Sequence, residues 1–557
     1  MAELDLADIQ GGILRAYGRQ GFPKARYLFF TVRDAAEGRR FVAALRPKIT
    51  TAARWSNPHR GEPLLRTPHP RLDDVPRANG APDYPGQVQL VKPKVAVNVA
   101  FTFYGLLALD VPTRTLRGLP DEFIDGMEKR AAVLGDSPYL DRRDPIWRNS
   151  NGERRVHILV SLNAEMTVDG APVPELEQQT AWLAGLCDQS AGGVALLDQA
   201  TPDGASWQDA SAVLGVHEGR LVATNKEHFG LSDGFGDPVF EGQMSPEMER
   251  VKVVGGGKIK ADQTWAPLAT GEFLLGYADE AQEIAGAAMP IAFSRNGTFM
   301  AYRKLHENVA AFDAYIADQG CRYAQVMGIA EPDEAMQTVK AKLVGRWPDG
   351  VPLMAAPTFA SWKDFNQRLS EARVAKDKVA LGRLALAYVD FKFRDDPDGA
   401  RCPVSSHLRR MNTRDMLDPH FASANPKDWT GSALNNRRRI LRRGLPYGSV
   451  SPPATDQGEH GIVFMAVCSS LFRQFEFVQQ QWVQYGLDFN AGSDTCPIVG
   501  NHGPDSKFVI PVDPKSDGVP FFCEPMPQFV EPRGGDYFFI PSMTALRMIE
   551  MGVVDPT

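Results

Sequence analysis

Closely spaced cysteine pairs are missing from this sequence of 557 residues. Its six cysteines lie far apart and form no CxxC pair, at Cys187, Cys321, Cys402, Cys468, Cys496 and Cys523. A zinc site or a disulfide framework needs cysteines at short, regular spacings. We therefore expect reduced thiols and no metal held by cysteines.

A targeting segment, a long apolar run and a strong charge are also missing. The start, MAELDLADIQGGILRAYG, has no basic segment followed by an apolar one. The longest apolar stretch, from Gly461 to Phe472, is too short to cross a bilayer. The net charge of -7 gives no general attraction to nucleic acid or an anionic membrane. Together these absences predict a soluble cytoplasmic protein, with export of a folded precursor by a route without a visible signal as the alternative.

The sequence does contain enough apolar residues for a large core, since 43% of them are hydrophobic. Helical patterns predict one helix from about Val173 to Cys187 and another that begins at Pro332 and stops at Gly345. One strand is predicted to extend as far as Phe103. The predicted strands are ARYLFFTV, VAVNVAFTF, RRVHILVSL, GEFLLGY, FMAYRKL, ALAYVDFKF and GGDYFFIPS.

Mixed strands and helices recur after about residue 220. We therefore predict an α+β protein of two packed domains, residues 1–225 and 226–557. A segment near 55–93, rich in Pro, Arg and Asp, is predicted to be a long surface insertion in the first domain.

Among the ten histidines, His407 stands out as a candidate ligand. It lies in CPVSSHLRRMNTRD, a predicted loop-to-helix stretch with Arg409, Arg410 and Arg414 nearby. A histidine is a common proximal ligand of haem iron, and guanidinium groups suit the carboxylates of a bound cofactor. A packed or solvent-facing histidine is the alternative interpretation.

The tract HFGLSDGFGDP places Asp233 among glycines that allow a tight turn close to a flat ligand. A carboxylate there could accept a proton from one oxygen of hydrogen peroxide and return it to the other. A simple Asx-type turn is the alternative.

Five arginines crowd the segment RRRILRRGLPYG, residues 437 to 448. An arginine that faces a pocket can stabilise negative charge on a departing oxygen at any working pH. A nucleic-acid or targeting patch is one alternative, and a solvated surface is expected for several of these arginines.

Two later segments add candidates. GIVFMAVCSSLF predicts a buried strand or helix start in which Ile462 and Phe464 could line a haem face, with ordinary core packing as the alternative. GSDTCPIVG offers Asp494, whose carboxylate is a candidate hydrogen-bond acceptor for the ring N–H of a ligating histidine. An isolated aspartate in a turn is the alternative for Asp494.

These signals occur together, in order, in a pattern that resembles the dye-decolorizing peroxidase family. GLSDG matches the family's GxxDG motif, and further matches run through DIQGGILRAYG, EFLLGY, NGTFMAYRKL, KLVGRWPDG, GIVFMAVCSSLFRQFEFVQQQW and RGGDYFFIPS. The resemblance covers nearly the whole chain and is closest to the longer branch with fungal and some bacterial members. It implies two ferredoxin-like domains, each an antiparallel sheet with peripheral helices, with haem held mainly by the C-terminal domain.

The resemblance also implies roles for the three central residues. Asp233 takes the place of the distal acid–base aspartate, and Arg442, the first arginine of RRGLPYG, that of the distal arginine. His407 takes the place of the proximal ligand to the iron of haem b.

Further roles follow from the same matching. Ile462 and Phe464 stand where distal pocket residues are expected, and Asp494 stands where a proximal aspartate is expected. Arg409 joins the predicted haem-binding residues. Tyr447 falls where some relatives carry a surface tyrosine that passes electrons from bulky substrates.

The implied activity is reduction of hydrogen peroxide and oxidation of dyes, phenols or other one-electron donors through a ferryl haem intermediate. The resemblance implies no nucleic-acid or membrane partner and is compatible with a homo-oligomer. Two alternatives use the same pocket: a haem-processing enzyme that releases iron, and a haem-binding protein without turnover.

Overall fold

The computed structural model describes residues 4–55, 92–148, 152–421 and 423–553. The predicted insertion near 55–93 lies almost entirely outside these residues. The strands are β1 Lys24–Val32, β2 Val95–Phe101, β3 Ile158–Ala164, β4 Val194–Leu196, β5 Trp207–Ser211, β6 Leu214–His217, β7 Arg220–Ala223, β8 Lys258–Ile259, β9 Trp265–Ala266, β10 Thr298–Glu307, β11 Leu441–Tyr447, β12 Gly461–Cys468, β13 Phe508–Ile510, β14 Phe521–Cys523 and β15 Val530–Ile540.

Helices surround these strands. They are α1 Gly11–Leu14, α2 Ala35–Leu45, α3 Phe103–Ala108, α4 Thr113–Leu116, α5 Asp121–Asp125, α6 Ala131–Leu134, α7 Pro174–Gln189, α8 Pro246–Gly256, α9 Ile291–Ser294, α10 Val309–Met327, α11 Pro332–Val344, α12 Phe359–Val374, α13 Lys378–Ala387, α14 His407–Met411, α15 Ala433–Asn436 and α16 Met543–Met551, with π-helical turns at Leu471–Glu476 and Val478–Val483. None of these helices is long and apolar enough to cross a membrane.

The main sheet consists of two antiparallel sets of strands with the same order. In the first set the order is β2-β3-β1-β4, with β5 also paired to β1, and in the second set it is β11-β12-β10-β15. In each set, the strand that comes first along the chain (β1 or β10) lies between the third strand (β3 or β12) and the fourth (β4 or β15), and the second strand (β2 or β11) lies beyond the third. In each set a helix follows the first strand, and helical turns or a helix follow the third. The predicted α+β class with two antiparallel units is confirmed, whereas the boundary at residues 225 and 226 stays a prediction.

The two sets form one continuous sheet. A single residue pair, Phe539 with Phe101, joins β15 to β2. The outer strands β5 and β11 lie close to each other, so the sheet curls towards a barrel. Neighbouring residues on one strand enter different cores: Phe30 packs with the helices outside the sheet, and Phe29 packs inside the curl. This alternation follows from the two-residue period of a strand.

Most predicted elements are confirmed, including α7, α11 with its stop at Gly345, and the strands of the main sheet. The run GEFLLGY is wrong as a strand, because Phe273, Leu274 and Leu275 are all fully buried in consecutive turns. Because all three side chains are buried, the segment is a continuous apolar run, and such a run resembles a buried strand in sequence although its backbone forms turns.

Two further corrections concern helices. ALAYVDFKF begins inside α13, whose first turn is capped by the carboxylate of Asp377, and continues as turns. The predicted strand to Phe103 ends at Phe101, because Thr102 accepts a hydrogen bond from the Gly105 N–H and starts α3. A side-chain cap starts each of these two helices.

Candidate active site

A cavity of about 350 Å³ lies beside the C-terminal set of strands. It is bounded by the tract around Asp233, by β11 and β12, and by the start of α14. Its apolar walls include Leu231, Ile462, Phe464, Phe475, Val478 and Ile498. The size and the apolar lining with a few polar groups are typical of a cofactor or ligand site.

Asp233 reaches this cavity from a constrained turn. Its backbone N–H donates to the carbonyl of Asn225 at 2.7 Å, and the Gly234 N–H donates to its Oδ1 at 2.6 Å. Gly234 has a φ of +91°, and a Cβ there would lie 2.3 Å from the guanidinium of Arg19. Only glycine fits this position, so the turn aims the carboxylate of Asp233 into the cavity.

Arg442 lies opposite Asp233, on β11. Residues of β11 alternate between buried and half-buried, and Arg442 is on the half-buried side with Gly444. Its Nη1 forms a short ion pair with Oδ2 of Asp233. The side chains are 25% and 38% exposed respectively, so the pair lies between protein and an open space. A guanidinium and a carboxylate are thus held together at one wall of the cavity.

His407 is the first residue of α14, and its side chain lines the same cavity. Its Nδ1 lies 3.2 Å from the Sγ of buried Cys496. Among the residues that the structure describes, none hydrogen-bonds its Nε2. Burial raises the pKa of the Cys496 thiol, but the charge and hydrogen bond of His407, with Arg410, outweigh burial and lower that pKa to about 7. One ring nitrogen is therefore engaged and the other is free, as in a histidine that ligates a metal.

A larger cavity, about 670 Å³, lies inside the curl of the sheet. Both cavities are lined by Arg19, Asp233, Gly234, Phe235 and Arg442. Tyr17, Asn98 and Met300 line only the larger one. The larger cavity does not include His407, so the chemistry is assigned to the smaller one, and the ion pair Asp233–Arg442 stands between the two.

Comparison with protein families gives two matches, one in each half of the chain. Residues 8–171 match the DyP dimeric alpha+beta barrel domain, and residues 365–489 match the C-terminal domain of Dyp-type peroxidases. The two matches together take in just over half of the chain, in the order expected for one protein family.

The chain belongs to the dye-decolorizing peroxidase family.

Curated members of the family are similar over almost the full chain. Peroxidase 2 of Mycetinis scorodonius is 26% identical over 98% of this chain and 87% of its own length. Dye-decolorizing peroxidase AauDyP1 of Auricularia auricula-judae is 24% identical over 98% of this chain and 86% of its own length. A bacterial relative, the multifunctional dye peroxidase DyP2 of Amycolatopsis, is 26% identical over 58% of this chain.

Solved structures of dye-decolorizing peroxidases share the fold. A fungal DyP-type peroxidase from Auricularia auricula-judae aligns over 99% of this chain and 100% of its own, with a TM-score of 0.68 and 22% identity. A dye-decolorizing peroxidase in complex with 2,6-dimethoxyphenol aligns over 98% of this chain and 100% of its own, with a TM-score of 0.67 and 22% identity.

Five of the predicted site residues line the cavity of about 350 Å³. They are Asp233, His407, Arg442, Ile462 and Phe464. Ile462 and Phe464 are on the half-buried side of β12, which explains why alternate residues of an apolar run face a cavity.

Asp494 does not hold the position predicted for it. Its carboxylate pairs with Lys507 Nζ at 3.1 Å, and only its backbone carbonyl points back, to Arg410. Cys496, two residues later, is the hydrogen-bond partner of His407 instead. Sequence reasoning missed Cys496 because an isolated cysteine is usually inert core; its spacing from the predicted aspartate was the only signal.

Arg409 is also a correction. Its guanidinium is fully buried, donates to Oδ2 and the carbonyl oxygen of Asp396 at 2.6 Å each, and contacts the Met416 sulfur. It does not line the cavity. On a helix of one turn, the side chain two positions after His407 points to a different side.

Tyr447 is wrong as a surface residue, because it is only 4% exposed. It shares the buried side of β11 with Leu441, Arg443 and Leu445 and packs inside the curl of the sheet. The arginine segment is likewise more internal than expected. Arg439 and Arg443 are buried, the latter paired with Asp237 at 3.0 Å.

Proposed function

We propose that this peroxidase binds haem b in the cavity of about 350 Å³, with His407 as the iron ligand and Asp233 and Arg442 as the groups that act on hydrogen peroxide. The observation that carries this proposal is the placement of a histidine with a free ring nitrogen and an Asp–Arg ion pair in one apolar cavity.

The residues present fit a haem. The broad apolar walls suit a flat macrocycle, and the Nε2 of His407 is the kind of donor that iron takes. Arg438 also lines the cavity and has no carboxylate partner in the described part of the chain. We therefore propose Arg438, in place of Arg409, as a contact of the haem carboxylates.

A bound haem supplies the redox centre that exchanges electrons with peroxide and with the donor. Asp233 accepts the proton of one peroxide oxygen and returns it to the other, which leaves as water. Arg442 stabilises the negative charge that develops on the departing oxygen. Cys496 holds the ring of His407 in one orientation through Nδ1.

The donor is proposed to be a dye, a phenol or another aromatic one-electron reductant. Two relatives support this choice of donor: one is a multifunctional dye peroxidase, and the other was solved in complex with the phenol 2,6-dimethoxyphenol. The larger cavity, which meets the ion pair Asp233–Arg442, gives peroxide and small phenols a way to the site. A cytoplasmic location also stays a proposal, supported by six cysteines that are all free thiols in the structure.

Absorption spectra of the haem-loaded protein test the ligand. The parent is expected to show a histidine-ligated ferric spectrum that changes on addition of one equivalent of hydrogen peroxide, and His407→Ala is expected to lose or alter that spectrum. Haem binding without any response to peroxide would favour a storage protein. Release of free protoporphyrin without peroxide would favour a haem-processing enzyme.

Replacement of Asp233 by Asn tests the proton transfer. Asp233→Asn should keep haem but react with peroxide about 10²–10⁴-fold more slowly in stopped-flow measurements, because the amide cannot accept the proton. Asp237→Asn is the matched control, since Asp237 lies in the same tract but pairs with Arg443. Equal rates for Asp233→Asn and the parent would remove Asp233 from this role.

A further inference from the structure

Besides Asp233, four carboxyl groups line the proposed haem cavity. Asp136 and Asp237 pair with Arg303 and Arg443, whereas Glu227 and Glu307 form no ion pair with a described residue. Glu227 precedes the tract that carries Asp233, and Glu307 ends β10. Their residues are only 8% and 3% exposed. Neither was singled out by its sequence context, and neither has a part in the chemistry proposed above.

The two carboxyl groups contact each other. The N–H groups of Phe229 and Leu231 donate to the two oxygens of Glu227, at 2.8 and 2.7 Å. The carboxyl group of Glu307 lies beside that of Glu227, within reach of a hydrogen bond, and close to the backbone N–H of His228. Its Oε2 is buried and has no partner among the described residues. Two ionised carboxylates only accept hydrogen bonds, so this contact requires a proton on one of them.

No described residue forms an ion pair with either glutamate. Lys340, whose charge favours ionised Glu227, donates its own hydrogen bond to the carbonyl of Phe229 and forms no ion pair with either glutamate. Asp233 adds a negative charge that acts on both.

Adjoining elements bring His228, His460 and Tyr447 close to the pair. The cavity is also lined by Arg303 and Arg442, which pair with Asp136 and Asp233. His228 and His460 both have pKa values lowered mainly by burial, and buried Tyr447 has a raised pKa. Burial also raises the pKa of Glu227 to about 7 and that of Glu307 well above its ordinary value. Loss of the last proton would place two negative charges side by side in a buried site. Their repulsion keeps one proton on the pair.

We propose that Glu227 and Glu307 share one proton at neutral pH and hold it in the cavity wall as a reserve for the peroxide reaction. The kinetic part of this proposal rests on the proposed function. Reduction of one hydrogen peroxide to two waters consumes two electrons and two protons. A donor that gives its electron from outside the cavity leaves its proton outside, so a proton must come from elsewhere. The pair passes this proton, through water in the cavity that it lines, to the oxygen that is being reduced, and the pair is refilled from solvent.

Infrared difference spectroscopy tests the shared proton without any turnover. At pH 8, the apoprotein and the haem-loaded protein should both show one carbonyl band of an un-ionised carboxylic acid that shifts in D2O. Glu307→Gln should abolish this band, because Glu227, with a pKa of about 7, then ionises at pH 8. Glu227→Gln should shift the band, because buried Glu307 keeps its proton but loses its hydrogen-bond partner. Glu122→Gln is the matched control, since Glu122 is also 8% exposed but lies outside the cavity. Absence of the band in the parent, or its survival in both single variants, would overturn the proposal.

The pH dependence of donor oxidation tests the role. With a bulky anionic dye as donor, Glu307→Gln should reduce turnover on the order of a hundredfold at pH 8 and much less at pH 5, where solvent protons are abundant. An equal effect at both pH values would indicate only a structural role and contradict the reserve. If the parent itself did not react with peroxide, the proposed function would fail, while the infrared band would still decide whether the proton is shared.

Discussion

At the scale of single residues, His407 contacts the sulfur of Cys496, whereas the sequence predicted the carboxylate of Asp494 as its partner. Sulfur forms a longer hydrogen bond than a carboxylate oxygen, and the pKa of about 7 leaves the Cys496 sulfur partly ionised at neutral pH. It therefore accepts from the imidazole N–H and orients the ring. Both groups are held in place by the chain around them: Cys496 N–H donates to Val483 at 2.7 Å, and α14 fixes His407.

Loss of the sulfur contact should weaken haem ligation. Cys496→Val is expected to lower haem affinity or the peroxide rate by about 10–100-fold and to lower the iron–histidine stretching frequency in resonance Raman spectra. Cys496→Ser, which keeps a hydroxyl, should fall between this variant and the parent. The control is Cys523→Val, another fully buried cysteine, which has no histidine contact. A Val variant with the parent's spectrum would show that the contact has no effect on the ligand.

The three central residues could be predicted from the sequence because each belongs to a motif with a fixed local shape. Asp233 lies between glycines that allow a tight turn, and His407 begins a helix. Asp494 and Tyr447 could not be placed, since a shift of two residues in a turn or one residue on a strand reverses where a side chain points. His407, the partner of Cys496, lies 89 residues away in sequence, and only the fold brings the two together. Asp396, the partner of Arg409, lies 13 residues away, across a loop that carries no clear pattern.

At the scale of elements, the end of α11 sets the position of the proximal helix α14. Gly345 has a φ of +92°, and a Cβ there would lie 2.6 Å from Cβ of Leu408 and 3.1 Å from Oγ of Ser406. These two residues flank His407. The missing side chain at the helix end therefore gives α14 room to approach.

Gly345→Ala should cost about 1–2 kcal/mol in free energy of unfolding, because an L-residue is strained at this φ, and it should also alter the ferric haem spectrum. Gly328→Ala is the control: Gly328 caps α10 with a φ of +68° and has open space around its Cβ position. It should show a similar loss of stability, measured by denaturant unfolding, without the spectral change. A normal spectrum for Gly345→Ala would contradict the proposed packing.

Elements with clear caps or alternation were predictable, as α7, α11 and the sheet strands show. ALAYVDFKF was not predictable, because its apolar residues include exposed Leu386, so their pattern does not report burial. GEFLLGY was not predictable for another reason: a run that is buried on all sides carries no period. Tertiary burial, rather than local preference, decides the structure of such segments.

At the scale of the whole molecule, the two sets of strands share one core. Residues of both halves, such as Phe101, Phe299 and Phe539, belong to a single cluster of buried side chains. We therefore expect the halves to unfold together although one residue pair joins their strands.

Phe539→Ala should lower the free energy of unfolding by about 3–5 kcal/mol, because Phe539 is fully buried and packs on Phe293 and Phe299. Circular dichroism and tryptophan fluorescence should still report one coincident transition. Phe522→Ala, at a residue 44% exposed, should change stability by no more than about 0.5 kcal/mol. Two separate transitions, with one unchanged by the substitution, would contradict a shared core.

The stability of the molecule should also depend on His157. Val32 N–H donates to its Nδ1 at 2.9 Å, and burial lowers its pKa to about 4. Between about pH 6.5 and 4 the unfolded chain takes up a proton that the folded chain does not bind, so stability falls as pH falls through this window.

Urea unfolding of the parent and of His157→Gln at pH 7 and pH 4.5 measures this effect. The loss of stability between the two pH values should be smaller in the variant by on the order of 2 kcal/mol, after allowance for partial exposure. His217→Gln, at an exposed position, should behave like the parent. Identical losses in the parent and His157→Gln would exclude His157 as a cause of acid unfolding. Asp144 and Asp536, with pKa values raised to about 6, act in the opposite sense in both proteins and cancel in the difference.

The approach of β5 and β11 has a consequence for how copies of the chain could associate. An open sheet ends in strands whose unpaired amide and carbonyl groups can capture a strand of another molecule. Here the outer strands β5 and β11 of the main sheet turn towards each other. They therefore leave little unpaired edge to which a strand of another molecule could bind. Assembly of several chains would therefore proceed through helices and loops, and aggregation by strand exchange would require the curl to open first.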